Sequence, residues 1–171
     1  MPDTKRNLAA LIALWLDNTS ELIGAEDGRD MLVSMYQQGF GSIRTKDGST
    51  QQTATTTPTK LINWLTVGLS EFTIPSIINS QIGLTEGGTF QVFCGLFIDP
   101  RLNARLDFEF YLDGVATGIS CAGQGTAFPT SMMDFLSAAD GQILTVRVNG
   151  DGGNDDFTMV RGQMLVKKVG N

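Results

Sequence analysis

Two carboxylates, Asp107 and Glu109, stand two residues apart in the run Arg105-Leu106-Asp107-Phe108-Glu109-Phe110. In an extended strand, positions i and i+2 share a face and lie roughly 7 Å apart. Carboxylates at that range can divide the work of a general acid and a general base. A strand that turns one charged face to solvent or to an interface produces the same spacing, and that plainer role is the expectation here. A second cluster is Asn149-Gly150-Asp151-Gly152-Gly153-Asn154-Asp155-Asp156. Calcium takes several such oxygens at once, but the spacing departs from the twelve-residue EF-hand loop. An acidic turn between strands is expected instead, so no metal and no cofactor is assigned.

Nucleophilic chemistry fares worse. The chain has no histidine, so neither a Ser-His-Asp nor a Cys-His pair can form. Cys94 and Cys121 are the only cysteines. Each sits in an apolar strand pattern, which predicts buried free thiols, with a Cys94–Cys121 disulfide as the alternative. Two cysteines without histidine cannot furnish a zinc site. Gly83, Gly87, Gly88, Gly123 and Gly125 have no phosphate-loop spacing and read as turns. Lys plus Arg number 12 against 18 Asp plus Glu, a net charge of −6, and no basic run exceeds Lys167-Lys168. A nucleic-acid partner is excluded on that balance, because phosphate binding needs clustered cations. The chemistry expected of this chain is therefore holding, binding or assembling, not catalysis.

The elements that carry these residues are mostly strands. Leu106, Phe108, Phe110 and Leu112 alternate with Arg105, Asp107, Glu109 and Tyr111, the period-2 pattern of a half-buried strand. Asp113-Gly114 then turns the chain, since a two-residue hairpin asks for positive φ and Asp-Gly tolerates it. Val115, Thr117, Ile119 and Cys121 follow on one face of the returning strand. Thr89 to Ile98 reads as a long strand with Phe90, Val92, Cys94, Leu96 and Ile98 on one side. Phe93 and Phe97 on its other side predict cover on both faces, so Phe93 and Phe97, with Tyr111, are candidate subunit-interface residues. Ile143 to Val148 puts Leu144, Val146 and Val148 inward, and Phe157 to Val169 closes the fold with a bulge near Gly162. Leu61 to Trp64, Phe72 to Ile74 and Ile77 to Ile78 are shorter candidates, and Met132-Met133 falls in an irregular stretch between Cys121 and Phe135. Eight to ten short strands at this spacing, with 20 glycines in 171 residues, predict a mainly β antiparallel jelly-roll sandwich with a short N-terminal two-helix segment.

Three zones result. Residues 1–40 read as a helical anchor. Leu8, Leu11, Ile12 and Trp15 fall at i, i+3, i+4 and i+7, and Met31, Leu32 and Met35 form the apolar side of a second helix that Gly39 stops. So much apolar surface on short helices predicts docking on a partner. The apolar run 8–16 is too short to span a bilayer and lacks a cleavage site, so neither a membrane nor a secretory leader is expected. Residues 41–59 (GSIRTKDGSTQQTATTTPT) hold almost no apolar side chains and read as a linker or strap lying on another surface. Residues 60–171 form the jelly-roll head.

Two resemblances add to this. The elements GGTFQVFCG, YLDGVATG and FLSAADGQILTV, within residues 54–169, resemble the tumour necrosis factor-like jelly-roll heads of bacterial and bacteriophage proteins. That resemblance implies a homotrimer around a threefold axis. Asp17, Asn18, Thr19, Ile23, Ala25, Asp27, Arg29 and Asp30 match a short helical segment near the start of many bacteriophage virion appendage proteins. Together they imply a virion structural protein, most simply a trimeric capsid decoration or cement protein on the particle exterior. Its partners would be the major capsid protein or other virion subunits. A head or tail fibre, or a receptor- or carbohydrate-binding module, is the alternative. Phe128 is the only aromatic in 122–134, which disfavours sugar stacking on a tip loop there.

Overall fold

A computed structural model describes residues 39–170 apart from 102, 153 and 154. Of the segment 1–40 expected to be a helical anchor, residues 1–38, with Leu8, Leu11, Ile12, Trp15, Met31, Leu32 and Met35, lie outside the described residues, and Phe40 already begins a strand. Gly39–Gly170 forms one compact unit. Its strands run in the order β1 (Phe40–Lys46), β2 (Gln51–Ala54), β3 (Thr59–Lys60), β4 (Thr66–Val67), β5 (Thr73–Ser76), β6 (Gln81–Leu84), β7 (Gly88–Pro100), β8 (Arg105–Leu112), β9 (Val115–Gln124), β10 (Phe128–Ala138), β11 (Ile143–Gly150) and β12 (Asp155–Gly170). One sheet has the order β10-β7-β12-β1-β4, with β2 also paired to β12. The other has the order β5-β6-β11-β8-β9, with β3 also paired to β11. Every strand pair is antiparallel.

The two sheets bury their alternating apolar faces against each other. Phe90, Val92, Cys94, Leu96 and Ile98 of β7 meet Leu106, Phe108 and Phe110 of β8 and Leu144, Val146 and Val148 of β11 in one core. Each large side chain so buried contributes about 1.5–3 kcal/mol. The Asp113-Gly114 hairpin forms as its sequence predicts, with φ of 48° and 81°. The Asp113 carboxylate also accepts the Ile143 N–H at 2.8 Å, tying the turn to β11.

β12 shows how a bulge repairs a pattern. Its register slips between Met159 and Arg161, so the inward set changes from Phe157 and Met159 to Met164 and Val166. Without the extra residue one half of that set would face outward. The bulge lies just ahead of Gly162, near where the sequence predicts it. At the far end of β12, Lys168 turns inward and its Nζ lies 3.1 Å from Glu86 Oε2.

Three expectations are corrected. Residues 41–59 are not a linker: β1 pairs with β12 along its whole length and β2 adds to β12. The polar composition is accommodated because this stretch is held by hydrogen bonds. The Thr45 hydroxyl donates to the Asn63 carbonyl at 2.6 Å. The Gln52 side chain donates to the Lys60 carbonyl at 2.8 Å and accepts the Ile62 N–H at 3.1 Å. Ile43 and Ala54 alone supply the buried apolar contacts. The stretch around Met132-Met133 is not irregular either, because β10 runs through it and pairs with β7 from Phe128↔Ile98 to Ala138↔Gly88. Ile77 and Ile78 lie in the turn between β5 and β6, not in a strand.

Candidate functional site

The outward face of the first sheet gathers side chains that the core does not need. Ladder pairing places Met133 opposite Phe93, Phe93 opposite Leu165, and Leu165 opposite Ser42, one row across four strands. A neighbouring row holds Ser131, Gly95, Gln163 and Arg44. The next holds Pro129, Phe97, Arg161 and Lys46, and on the other side lie Phe135, Gln91, Lys167 and Phe40. Met133 is 64% exposed, Phe135 59% and Phe97 38%.

The face therefore has two unlike halves. The β10–β7 half is apolar: Met133, Phe135, Pro129, Phe93 and Phe97. The β12–β1 half carries Arg44, Lys46, Arg161 and Lys167, none of which forms an ion pair among the described residues. Between them a depression of about 670 Å³ is bordered by Phe93, Gly95, Phe97, Arg44, Arg161 and Gln163. Its floor depends on Gly95. A methyl group there would stand 2.8 Å from the tip of the Phe93 ring, which lies across the strand at that point.

The structure brings two of the three candidate interface residues together. Phe93 and Phe97 share this face. Tyr111 does not: it lies on β8 in the other sheet, is nearly buried, and carries the Arg147 guanidinium 4.4 Å above its ring centre. Strand alternation alone cannot say which sheet a residue joins, so the sequence could not separate Tyr111 from the two phenylalanines. Met133, Phe135, Leu165, Arg44 and Arg161 are additional residues of the face. The signal for β10 was present as alternation of Phe128, Thr130 and Met132 with Pro129, Ser131 and Met133. Pro129 and the apolar doublets Met132-Met133 and Phe135-Leu136 obscured it.

The residues that suggested chemistry are used locally. The Asp107 carboxylate accepts both Nε and Nη2 of Arg105 at 3.2 Å. The Glu109 carboxylate accepts the Gly118 N–H at 2.8 Å, which holds the irregular pairing of β8 with β9. In the acidic loop, Asp155 accepts the Gly152 N–H at 3.1 Å, and Asp156 accepts the Thr53 hydroxyl at 2.5 Å. Among the described residues no three ligating side chains cluster as a metal site would need.

Cys94 and Cys121 are free thiols. Burial pushes Cys94 well above the usual thiol range, and the neighbouring Cys121 adds to the shift. Burial also raises Cys121; the Thr130 hydrogen bond opposes the shift and Asp107 adds to it. Reactivity belongs to the thiolate, so at pH 8 native Cys94 is expected to resist iodoacetamide while the urea-unfolded chain reacts at both sites, as read by mass spectrometry. Both folded values lie above the unfolded ones. The stabilisation is therefore present below the unfolded thiol pKa of about 8.5 and is lost as pH rises through the folded values. Urea midpoints compared between pH 8 and pH 10 should fall, and replacing both cysteines by alanine should flatten part of that fall.

No family model matches the sequence, and no curated protein matches it. Solved structures do match. One is the Eiger tumour necrosis factor of S. frugiperda, 12% identical with a TM-score of 0.55, covering 78% of this chain and 92% of that one. Another is the globular domain of zebrafish complement 1qA protein, 8% identical with a TM-score of 0.57, covering 79% of this chain and all of that one. At these identities the likeness concerns architecture, and the described part of this chain has the jelly-roll fold of tumour necrosis factor and complement 1q heads.

Proposed function

We propose that this chain is a non-enzymatic assembly protein whose head forms a homotrimer through the outward face of its first sheet. The observation that carries the reading is the apolar surface of Met133, Phe135, Phe97 and Pro129, all exposed, with the half-buried Phe93 in the same ladder rows. Monomeric proteins seldom leave so much contiguous apolar surface uncovered. Unlike surfaces that meet head to tail give a ring when the rotation between copies closes, and three copies are the closure proposed here. The fold shared with tumour necrosis factor and complement 1q heads supports the reading. The matches around Asp17-Asn18-Thr19 support the finer reading of a virion structural protein, a capsid decoration or cement protein. In that reading Leu8, Leu11, Ile12, Trp15, Met31, Leu32 and Met35 dock on the capsid.

Sedimentation equilibrium should return three times the mass of one chain. The pair Phe93→Asp and Met133→Asp should return one chain mass with an unchanged far-ultraviolet spectrum. A wild-type monomer at tens of micromolar would overturn the trimer. For the virion role, quantitative mass spectrometry of purified particles should count hundreds of copies per particle for a decoration protein and a handful for a fibre. Absence from particles would sink it. Removing residues 1–38 should leave a trimeric head that no longer joins particles.

A further inference from the structure

We infer that Arg44, Lys46 and Arg161 form a site for a free divalent oxyanion, phosphate or sulfate, on the outward face of the first sheet. The site itself belongs to a single copy; only its effect on assembly rests on the trimeric reading. Lys46 lies directly opposite Arg161 in the β1–β12 ladder, and Arg44 lies opposite Gln163, which makes Arg44 and Arg161 diagonal neighbours. Directly opposed residues stand about 4.5–5.5 Å apart and diagonal ones about 7–8 Å. The three long side chains are therefore rooted close enough to converge on one ion. All three are exposed. None forms an ion pair or a side-chain hydrogen bond among the described residues. Like charges directly opposite each other destabilise a sheet, and no carboxylate among the described residues answers them. Those that register brings near are Asp47, next to Lys46 in the turn, and Asp99, two residues past Phe97 on β7, and neither pairs with the cluster.

The surroundings suit a small oxyanion. Arg44 and Arg161 border the depression of about 670 Å³, and Gln163 and Ser131 add neutral donors to its wall. Guanidinium groups present planar forks of N–H donors that match phosphate and sulfate oxygens, and a lysine adds a point charge. Phe93 and Phe97 line the same depression, so the ion would lie beside an apolar wall, where attraction is screened less than in open water. A single carboxylate would leave two of the three charges unanswered, whereas a divalent ion leaves one. The face is also the one assigned to assembly. A surface that closes on another copy has room for a free ion but not for a phosphate carried on a macromolecule. Three like charges on each copy, brought to that face, oppose association. An ion bound more tightly by the trimer than by the single copy strengthens assembly by mass action. The cluster is hidden in the sequence because Arg161 follows Lys46 by more than a hundred residues, and only the ladder sets them side by side.

Titrating inorganic phosphate at pH 8, with sodium chloride withdrawn to hold ionic strength fixed, tests the site apart from general screening. Isothermal titration calorimetry should show saturable binding of one ion per copy to the wild-type chain, and sulfate should compete. Combining Arg44→Gln, Lys46→Gln and Arg161→Gln should weaken that binding by about tenfold or more, because charge-assisted contacts are the strong ones. Circular dichroism would show the variant folded. Sedimentation velocity over a dilution series reads the effect on assembly. Saturating phosphate should tighten the wild-type trimer by roughly tenfold at unchanged ionic strength. The triple variant should trimerise at least as tightly as wild type does without phosphate, and should ignore the ion. No saturable binding, or equal binding by the triple variant, would overturn the site and leave the trimer standing. A wild-type chain that binds phosphate but stays single would overturn the trimer and leave the site standing.

Discussion

Replacing Phe108 by alanine should lower the unfolding free energy by about 3–5 kcal/mol, the usual cost of deleting a core phenylalanine. Phe108 sits in the middle of β8, fully buried between the sheets. Its ring meets Phe157 of β12 edge to face, centroids 6.5 Å apart at 89°. This contact joins the two sheets, so the cavity would open where neither sheet can close over it alone. Domains of this size are stable by only about 5–15 kcal/mol in total, and the loss should move the thermal midpoint by about 10–20 °C. Phe108→Leu should cost roughly half as much because most of the volume is kept. Val115→Ala, exposed beyond the hairpin turn, should stay within about 0.5 kcal/mol. Urea denaturation followed by fluorescence checks all three. A Phe108→Ala cost below 1 kcal/mol would mean the sheets do not pack through this pair.

Gly48→Ala should cost about 2–3 kcal/mol, the upper part of the range for forcing atoms into filled space. Gly48 lies in the turn between β1 and β2, pressed onto β12. A Cβ there would collide with the Met159 carbonyl oxygen and stand 2.8 Å from Thr45 Cγ2. The obstacle is backbone at the β12 bulge, which cannot swing aside as a side chain would. Shifting the turn would also stretch the 3.0 Å bond from the Gly48 N–H to the Val160 carbonyl. Ser49→Ala, the adjacent exposed position, serves as the control and should change stability by less than about 0.5 kcal/mol. Because the affected strands are the first pairing of β1 with β12, amide exchange in Thr45 and Lys46 should accelerate with the loss. Unchanged exchange there would show that the turn relaxes without disturbing the sheet.

These two positions differ in how far the sequence announces them. Phe108 belongs to a period-2 run ended by Asp-Gly, and both features act over a few residues, so local pattern suffices. The same holds for the inward set of β7 and for Leu144, Val146 and Val148 of β11. Gly48 gives no such signal. It sits in a polar stretch whose order comes from β12, more than a hundred residues later, and from side chains such as Gln52 that bond to the backbone of the next strand. A segment with Ile43 as its one large buried side chain carries too little hydrophobic alternation to mark a strand.

The candidate face divides the same way. Phe93 and Phe97 were legible as a second apolar side of one strand. Their grouping with Met133, Phe135 and Leu165, and the exclusion of Tyr111, depended on which strands pair. Local periodicity, turn chemistry, the missing histidine and the acidic balance determined a histidine-free β sandwich with no expected catalytic or nucleic-acid role, because those properties belong to short stretches or to composition. Strand order and register, set by contacts between distant parts of the chain, decided which side chains share the outward sheet and where its basic hollow lies. A side chain's own neighbours in sequence tell which way it points, but only the ladder tells what lies beside it.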